Sequence, residues 1–437
     1  MIRCRNILTH KRALHLTGIL FATVLVHLWL IFQASLQLSV LPLNDLNLYG
    51  SWISEQQFSG FQEVYGLTRD WVYPFVAQLP MLMAAAIGGA SGLLNGWLAL
   101  VTLLNLIAVG ALVGWGRGTL ADFKGAWFWL VFMALLGPVA IGRIDSVATV
   151  LAVFGLVALA HNRLTTAMIL FTSGAWMKIW PVSLALAVFL ADKRRKLIFV
   201  VAAATSAIFL VLGALLGGGL QMFSFILKQG DRALQIEAPI ATIWLWLAKF
   251  NLANSTIYFD KNLLTNQIAG LGALEVSSLM TPVMAVALAI TAWLGIRAYR
   301  AGAPTNHLFA AIALTATLDL IVFNKVGSPQ FEGWLAVPLM AGIIFNLPKW
   351  RTAVFGGLAI ALLTNLVYPI FYIDLMGLGW LSLVTLTIRN LALIWLLVWA
   401  NRYLGGLSRP MNQEVRQSSA QLFRARLKTR RDRSLTR

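Results

Sequence analysis

Apolar runs alternate with short polar intervals along almost the whole chain. The runs fall at residues 14–40, 96–116, 126–141, 146–160, 164–177, 180–191, 197–217, 278–296, 305–323, 331–347, 352–373 and 380–401. Several exceed the ~18–20 apolar residues that a helix needs to cross a bilayer. The pattern predicts an all-α, polytopic membrane protein of about twelve transmembrane helices. The two shortest runs meet at Lys178-Ile179-Trp180-Pro181. Pro181 suits a break there, because it removes a backbone donor and clashes with the preceding turn. A further run, 74–93, is apolar enough to span, yet counting it reverses the side of every later connection; it reads as a helix lying in or dipping into the outer interface. The polar interval 43–74 carries Asp45, Tyr49, Trp52, Glu55, Glu63, Tyr65, Arg69, Asp70 and Tyr73, and is expected to hold interfacial helices. In the interval 218–278, Trp244, Trp246, Leu247 and Phe250 beside Lys249 form the pattern of a helix anchored at the interface by tryptophan.

Composition agrees. Of the 437 residues 59% are hydrophobic and only 11% charged, whereas soluble domains carry about 25% charged residues. A soluble class is excluded, and the whole of 1–401 reads as one membrane domain. The single Cys4 rules out an intramolecular disulfide framework, and nothing is spaced as a zinc site. Neither a metal nor a cofactor is expected. The first run follows Arg3, Arg5, Lys11 and Arg12, as a signal peptide would, but outlasts the usual apolar region without a clear cleavage site; it reads as a retained first helix.

The net charge of +18 is unevenly placed. Residues 402–437 form a strongly basic tail, expected to be a disordered cytoplasmic segment attracted to anionic lipid rather than to nucleic acid. With 74–93 left out of the crossings, most of the 34 Lys/Arg fall on the tail's side, including Arg117, Lys124, Arg163, Lys193-Arg194-Arg195-Lys196, Arg297, Arg300, Lys349 and Arg351. Of the acids, only Asp122, Asp192, Glu414 and Asp432 do. The positive-inside rule then puts both termini in the cytoplasm.

The remaining charges gather at the opposite, outer ends of the helices: Asp45, Arg143, Asp145, Lys178, Arg232, Glu237, Lys325, Gln330 and Glu332, with Arg389 inside the last run. Ionisable groups at membrane depth are costly and usually face a protein cavity. A carboxylate there can serve as a base, and several Lys/Arg can hold a phosphate or diphosphate. The bland alternative is that these groups only pair with one another or meet water at loop ends.

An Asp just after the first helix, a loop rich in Tyr and Trp, Val72-Tyr73-Pro74 entering an interfacial run, and Lys178 followed by Pro181 resemble the GT-C glycosyltransferases. Asn324-Lys325-Val326-Gly327-Ser328-Pro329-Gln330 with Arg389-Asn390 narrows the resemblance to glycosyltransferase family 87, over roughly residues 14–400. That family contains polyprenol-phosphate-mannose-dependent mannosyltransferases and related arabinofuranosyltransferases. The resemblance implies a metal-independent, inverting enzyme of the plasma membrane. It would move a sugar, mannose first among the candidates, from a polyprenyl-phosphate donor to a glycolipid or glycan acceptor on the outer face. It puts the general base on Asp45, and the donor phosphate on Lys178, Lys325 and Arg389, with Arg143 and Arg232 behind them. Tyr49, Trp52, Asp145, Glu237 and Gln330 would meet sugar or acceptor. The rival readings are a secondary transporter or lipid flippase, and a non-catalytic scaffold.

Overall fold

The computed structural model describes residues 2–36, 41–228, 232–261 and 264–409. Most of the basic tail, from residue 410 on, lies outside the described residues. Helices α1 (Ile2–Ser35) and α2 (Asp45–Phe58) come first, followed by α3 (Gln78–Gly88), α4 (Gly92–Leu112), α5 (Leu120–Leu136), α6 (Ile144–Ala160), α7 (Leu164–Met177), α8 (Val182–Ala191) and α9 (Arg195–Leu215). The short α10 (Ser224–Leu227) and β1 (Leu234–Gln235) precede α11 (Thr242–Lys249), β2 (Thr256–Asp260) and β3 (Thr265–Ala269). The chain then forms α12 (Ala273–Arg300), α13 (Thr305–Val322), α14 (Ala336–Ile344), α15 (Arg351–Asn365), α16 (Tyr372–Met376) and α17 (Trp380–Gly406).

The protein is a helical, membrane-embedded one. Among the described residues seven helical stretches are long and apolar enough to cross a bilayer: Arg12–Ser35, Phe75–Leu112, Arg195–Leu215, Ala273–Arg300, Thr305–Val322, Arg351–Ile370 and Trp380–Gly406. α13 is the hub, buried along nearly its whole length against α8, α12, α14 and α17. By contrast α9 and α12 turn most of their surface outward, and that surface is apolar: Phe199, Val200, Ile208 and Leu212 on one, Leu279, Val286, Ile290 and Trp293 on the other. Apolar faces of this extent suit hydrocarbon and not water.

Several boundaries depart from the hydrophobic pattern. Within 75–112 the chain does not run straight. Gly89 and Gly92 adopt positive φ, which only glycine enters without strain, and α3 folds back on α4. The approach is so close that a Cβ on Gly96 would lie 1.8 Å from the Ala84 carbonyl oxygen. α3, at 11 residues, rises about 16 Å, roughly half a ~30 Å hydrocarbon core. α5 starts six residues before the expected 126, at a capping box in which Thr119 and Asp122 satisfy each other's backbone N–H groups. The run 352–373 leaves α-helical geometry after Asn365: Tyr368 is extended (φ −131°, ψ 118°) ahead of Pro369, whose ring disfavours helical geometry in the residue before it. The run 331–347 begins as 3₁₀ turns over Pro329–Leu335, leaving α14 only 9 residues.

The interval 218–278 contains more than a helix, although α11 falls where the helix was expected. Strands β1, β3 and β2 form a small antiparallel sheet in that order, with Leu234 and Ile257 both opposite Ile268. Ile268, Leu234, Ile236 and Leu245 close a satellite core over Leu383 and Leu386 at the start of α17. The sheet is an addition to the all-α expectation and is confined to one end of the bundle.

Candidate functional site

The site is assembled where loops from distant parts of the sequence meet at that end. Asp45 opens α2, where the positive end of the helix dipole favours a carboxylate. Its carboxylate pairs with the guanidinium of Arg143. Arg143 precedes α6 in extended backbone, and its Nη2 also donates to the Tyr368 hydroxyl at 3.3 Å. The break at Tyr368-Pro369 is therefore what brings that hydroxyl to the site. Two residues further, in the first turn of α6, Asp145 is 4% exposed. Its Oδ1 accepts from the Trp334 indole N–H at 2.7 Å, and Oδ2 lies 3.8 Å from Lys178 Nζ.

Lys178 ends α7, and Pro181 prevents the helix from running on. Its ammonium sits 4.4 Å from the centre of the Tyr73 ring and 5.9 Å from that of Phe331, within cation–π range. Burial holds Lys178 below the ordinary lysine range. Asp145 opposes this, while the nearby Arg232 and Arg143 add to it. Asp45, Arg143, Asp145, Lys178 and Arg232 thus form one electrostatic unit.

A second group lies about 14 Å along α17 from Trp380. Arg389, 1% exposed, donates from Nη1 to Glu237 Oε2 at 3.1 Å and faces Glu332 Oε1 at 3.5 Å. Its Nη2 reaches the Glu237 carbonyl, and Nη2 and Nε both donate to Asn390 Oδ1, at 2.8 and 3.0 Å. Four hydrogen bonds from its guanidinium thus go to protein acceptors, with the Glu332 carboxylate beside them. In this structure Arg389, expected as a cation for the donor phosphate, and Glu237, expected to meet sugar or acceptor, are buried partners that hold loop to helix. One guanidinium thus faces two buried carboxylates.

The turn 323–331 packs against the Glu237 segment. The Lys325 carbonyl accepts from Gln235 N–H at 3.0 Å, Asn324 Oδ1 takes Val326 N–H at 2.9 Å, and Lys325 is 7% exposed. Gly327 is required by proximity, since a Cβ there would sit 2.0 Å from Ala238 N. Gln330 is buried and lines a cavity with Asp145.

The aromatic residues expected to meet sugar pack against one another in this structure. Tyr49 has no exposed surface; its ring packs on Trp52 and Trp97, and its hydroxyl accepts from Ile144 N–H at 3.2 Å. Trp52 lies among Tyr49, Tyr65, Trp71 and Tyr73, with ring centres 5.3 to 6.2 Å away. Tyr49 has no ring face open to a sugar, and Trp52 is largely enclosed; they build the floor that positions α2. Sequence reasoning missed Trp334 and Tyr368 as partners of Asp145 and Arg143. Trp334, two residues after Glu332 in a polar turn, and Tyr-Pro interrupting an apolar run were the available signals.

Searched against models of known protein families, the chain matches none, and no curated protein matches it.

Proposed function

We propose that the protein is a membrane glycosyltransferase, taking a sugar from a polyprenyl-phosphate donor and giving it to a hydroxyl of a glycolipid or glycan on the outer face of the plasma membrane. One observation carries this reading. Two carboxylates, Asp45 and Asp145, interleave with Arg143, Lys178 and Arg232 at one end of a bundle with apolar flanks.

The connections bearing these groups are the alternate ones along the chain, which accords with about twelve crossings and cytoplasmic termini. α17 supplies a ruler. Trp380, packed with Trp246, Phe250 and Lys249, marks one end, and the Trp399–Tyr403 pair marks the other. The 19 to 23 residues between them span roughly 29–35 Å, the separation of two interfacial aromatic belts. On this scale Arg389 lies near mid-depth. The irregular segment 234–241 beside it descends into the membrane, where such backbone is tolerated only against protein or a water-filled cavity.

In the proposed reaction Asp45 takes the proton of the acceptor hydroxyl as its oxygen attacks the anomeric carbon. The bond from that carbon to the phosphate oxygen breaks, and polyprenyl phosphate leaves with the electron pair and inversion at carbon. Arg143 orients Asp45, and proton transfer accompanies attack. Lys178, Arg232 and Arg143, with Lys325 in the adjoining turn, balance charge developing on the leaving phosphate. Purified protein in lipid nanodiscs, given radiolabelled polyprenyl-phosphate mannose or arabinofuranose, a membrane glycolipid extract and EDTA, is expected to transfer label to glycolipid. Absence of transfer from both donors would sink the proposal; transfer abolished by EDTA would sink its metal-independent form. The transporter reading has one observation in its favour, the buried Asp319 between α12 and α13, to which the Thr291 hydroxyl donates at 2.6 Å.

A further inference from the structure

Beneath the carboxylate–cation unit, α4, α5, α6 and the turns before α14 enclose a half-open cavity of about 30 Å³, room for one or two hydroxyl groups or waters and not for a whole sugar ring. Three of its lining side chains carry a buried oxygen with no hydrogen-bond partner: Asn105 Oδ1, Asp145 Oδ2 and Gln330 Oε1. The three residues are 2%, 4% and 9% exposed. Asn105 comes from the middle of α4, and its amide N–H donates to the Val101 carbonyl at 2.9 Å, which turns Oδ1 away from its own helix. Asp145 Oδ1 is held by Trp334, which leaves Oδ2 as the carboxylate's other acceptor; Lys178, at 3.8 Å, is beyond hydrogen-bond reach. Ser146 and Thr149 add hydroxyl oxygens whose protons are already given to backbone carbonyls. Native proteins seldom leave buried acceptors unmatched, and each such group points to a ligand or ordered water.

What fits is a neutral group that donates hydrogen bonds. A cation is disfavoured by Lys178, which already faces the only carboxylate in the lining. An anion is excluded by the oxygens themselves. Lys178, 3.8 Å from Asp145 Oδ2, and Arg143 and Arg232, which act electrostatically on Lys178, are the groups suited to a phosphate. We propose that Asn105, Asp145 and Gln330 form the subsite that receives hydroxyl groups of the donor sugar, with Asn105 setting the preference for sugar-bearing over bare lipid phosphate. The inference rests on the glycosyltransferase reading and gives the sugar and the phosphate separate walls of one site.

The test is equilibrium binding in nanodiscs, followed by the fluorescence of the bordering Trp129 and Trp334. The probes are polyprenyl phosphate and its mannosyl and arabinofuranosyl esters. Wild type is expected to bind at least one sugar ester about tenfold or more tightly than the bare phosphate, because two or more buried acceptors gain donors. Asn105→Leu should bind bare phosphate as wild type does and lose most of that preference. Its melting temperature without ligand should be equal or higher, since an unmatched acceptor has been removed. Asn105→Ala should repeat the loss of preference if leucine proves too large to fold. Equal binding of phosphate and sugar esters by wild type would overturn the subsite and leave the transfer reading standing. A preference intact in both variants would overturn the role of Asn105. Binding of none of the three lipids would remove the subsite and the transfer reading together.

Discussion

Asp45→Asn is expected to lower sugar transfer by roughly 10²–10⁴-fold, the range for losing a general base, while the protein remains folded. Asparagine keeps the shape and the helix-start position but cannot take a proton from the acceptor. The structural cost is moderate because the Asp45 side chain is 30% exposed and Arg143 retains Tyr368. It should stay below the ~3–5 kcal/mol of breaking a fully buried pair. Transfer per folded molecule, compared at several pH values, separates the two effects. A wild-type rate in the variant would remove Asp45 from the chemistry and pass the role to Asp145, whose Oδ1 is anchored by Trp334 and whose Oδ2 has no hydrogen-bond partner. The Asp45–Arg143 pair also accounts for the arginine just before α6: it ties the start of α2 to α6 and keeps Asp45 and Asp145 in one geometry.

Arg389→Leu is expected to destabilise the protein by about 3–5 kcal/mol, the cost of removing one partner from a buried ion pair. Two glutamates would then face each other in an apolar surround without their shared guanidinium. Adding Glu237→Gln and Glu332→Gln to Arg389→Leu should recover much of the loss, because replacing a whole buried ionic group is far less costly than orphaning part of it. Thermal unfolding of the three proteins checks this. If the single variant melted like wild type, Arg389 would not hold segment 234–241 to α17, and the site's floor would need another support. The latch matters for function because Gly327 and Lys325 rest on that same segment.

The hydrophobic pattern by itself determined that this is a helical membrane protein; among the described residues seven helical stretches are long and apolar enough to cross a bilayer, against about twelve expected. It could do so because a run of side chains facing lipid must be apolar whatever its neighbours are. It also pointed to Asp45, Arg143, Asp145 and Lys178 as one group, since they had no reason to stand in costly surroundings unless they met. What it could not tell was who meets whom. Arg389 and Lys178 look alike along the chain, each a cation among apolar residues. Only the fold shows that Arg389 is saturated by Glu237, Glu332 and Asn390, from segments up to 152 residues away, while Lys178 shares Asp145 at 3.8 Å under two aromatic rings. Tyr49 and Trp52 likewise suited a sugar-stacking role until packing turned them inward. Asn105 carried no signal, because an asparagine within an apolar helix can face lipid, a neighbour or a cavity. The tertiary structure decided these points for a physical reason: burial propensity is a property of the single residue, whereas pairing, saturation and an unmatched oxygen are properties of the space that distant segments enclose.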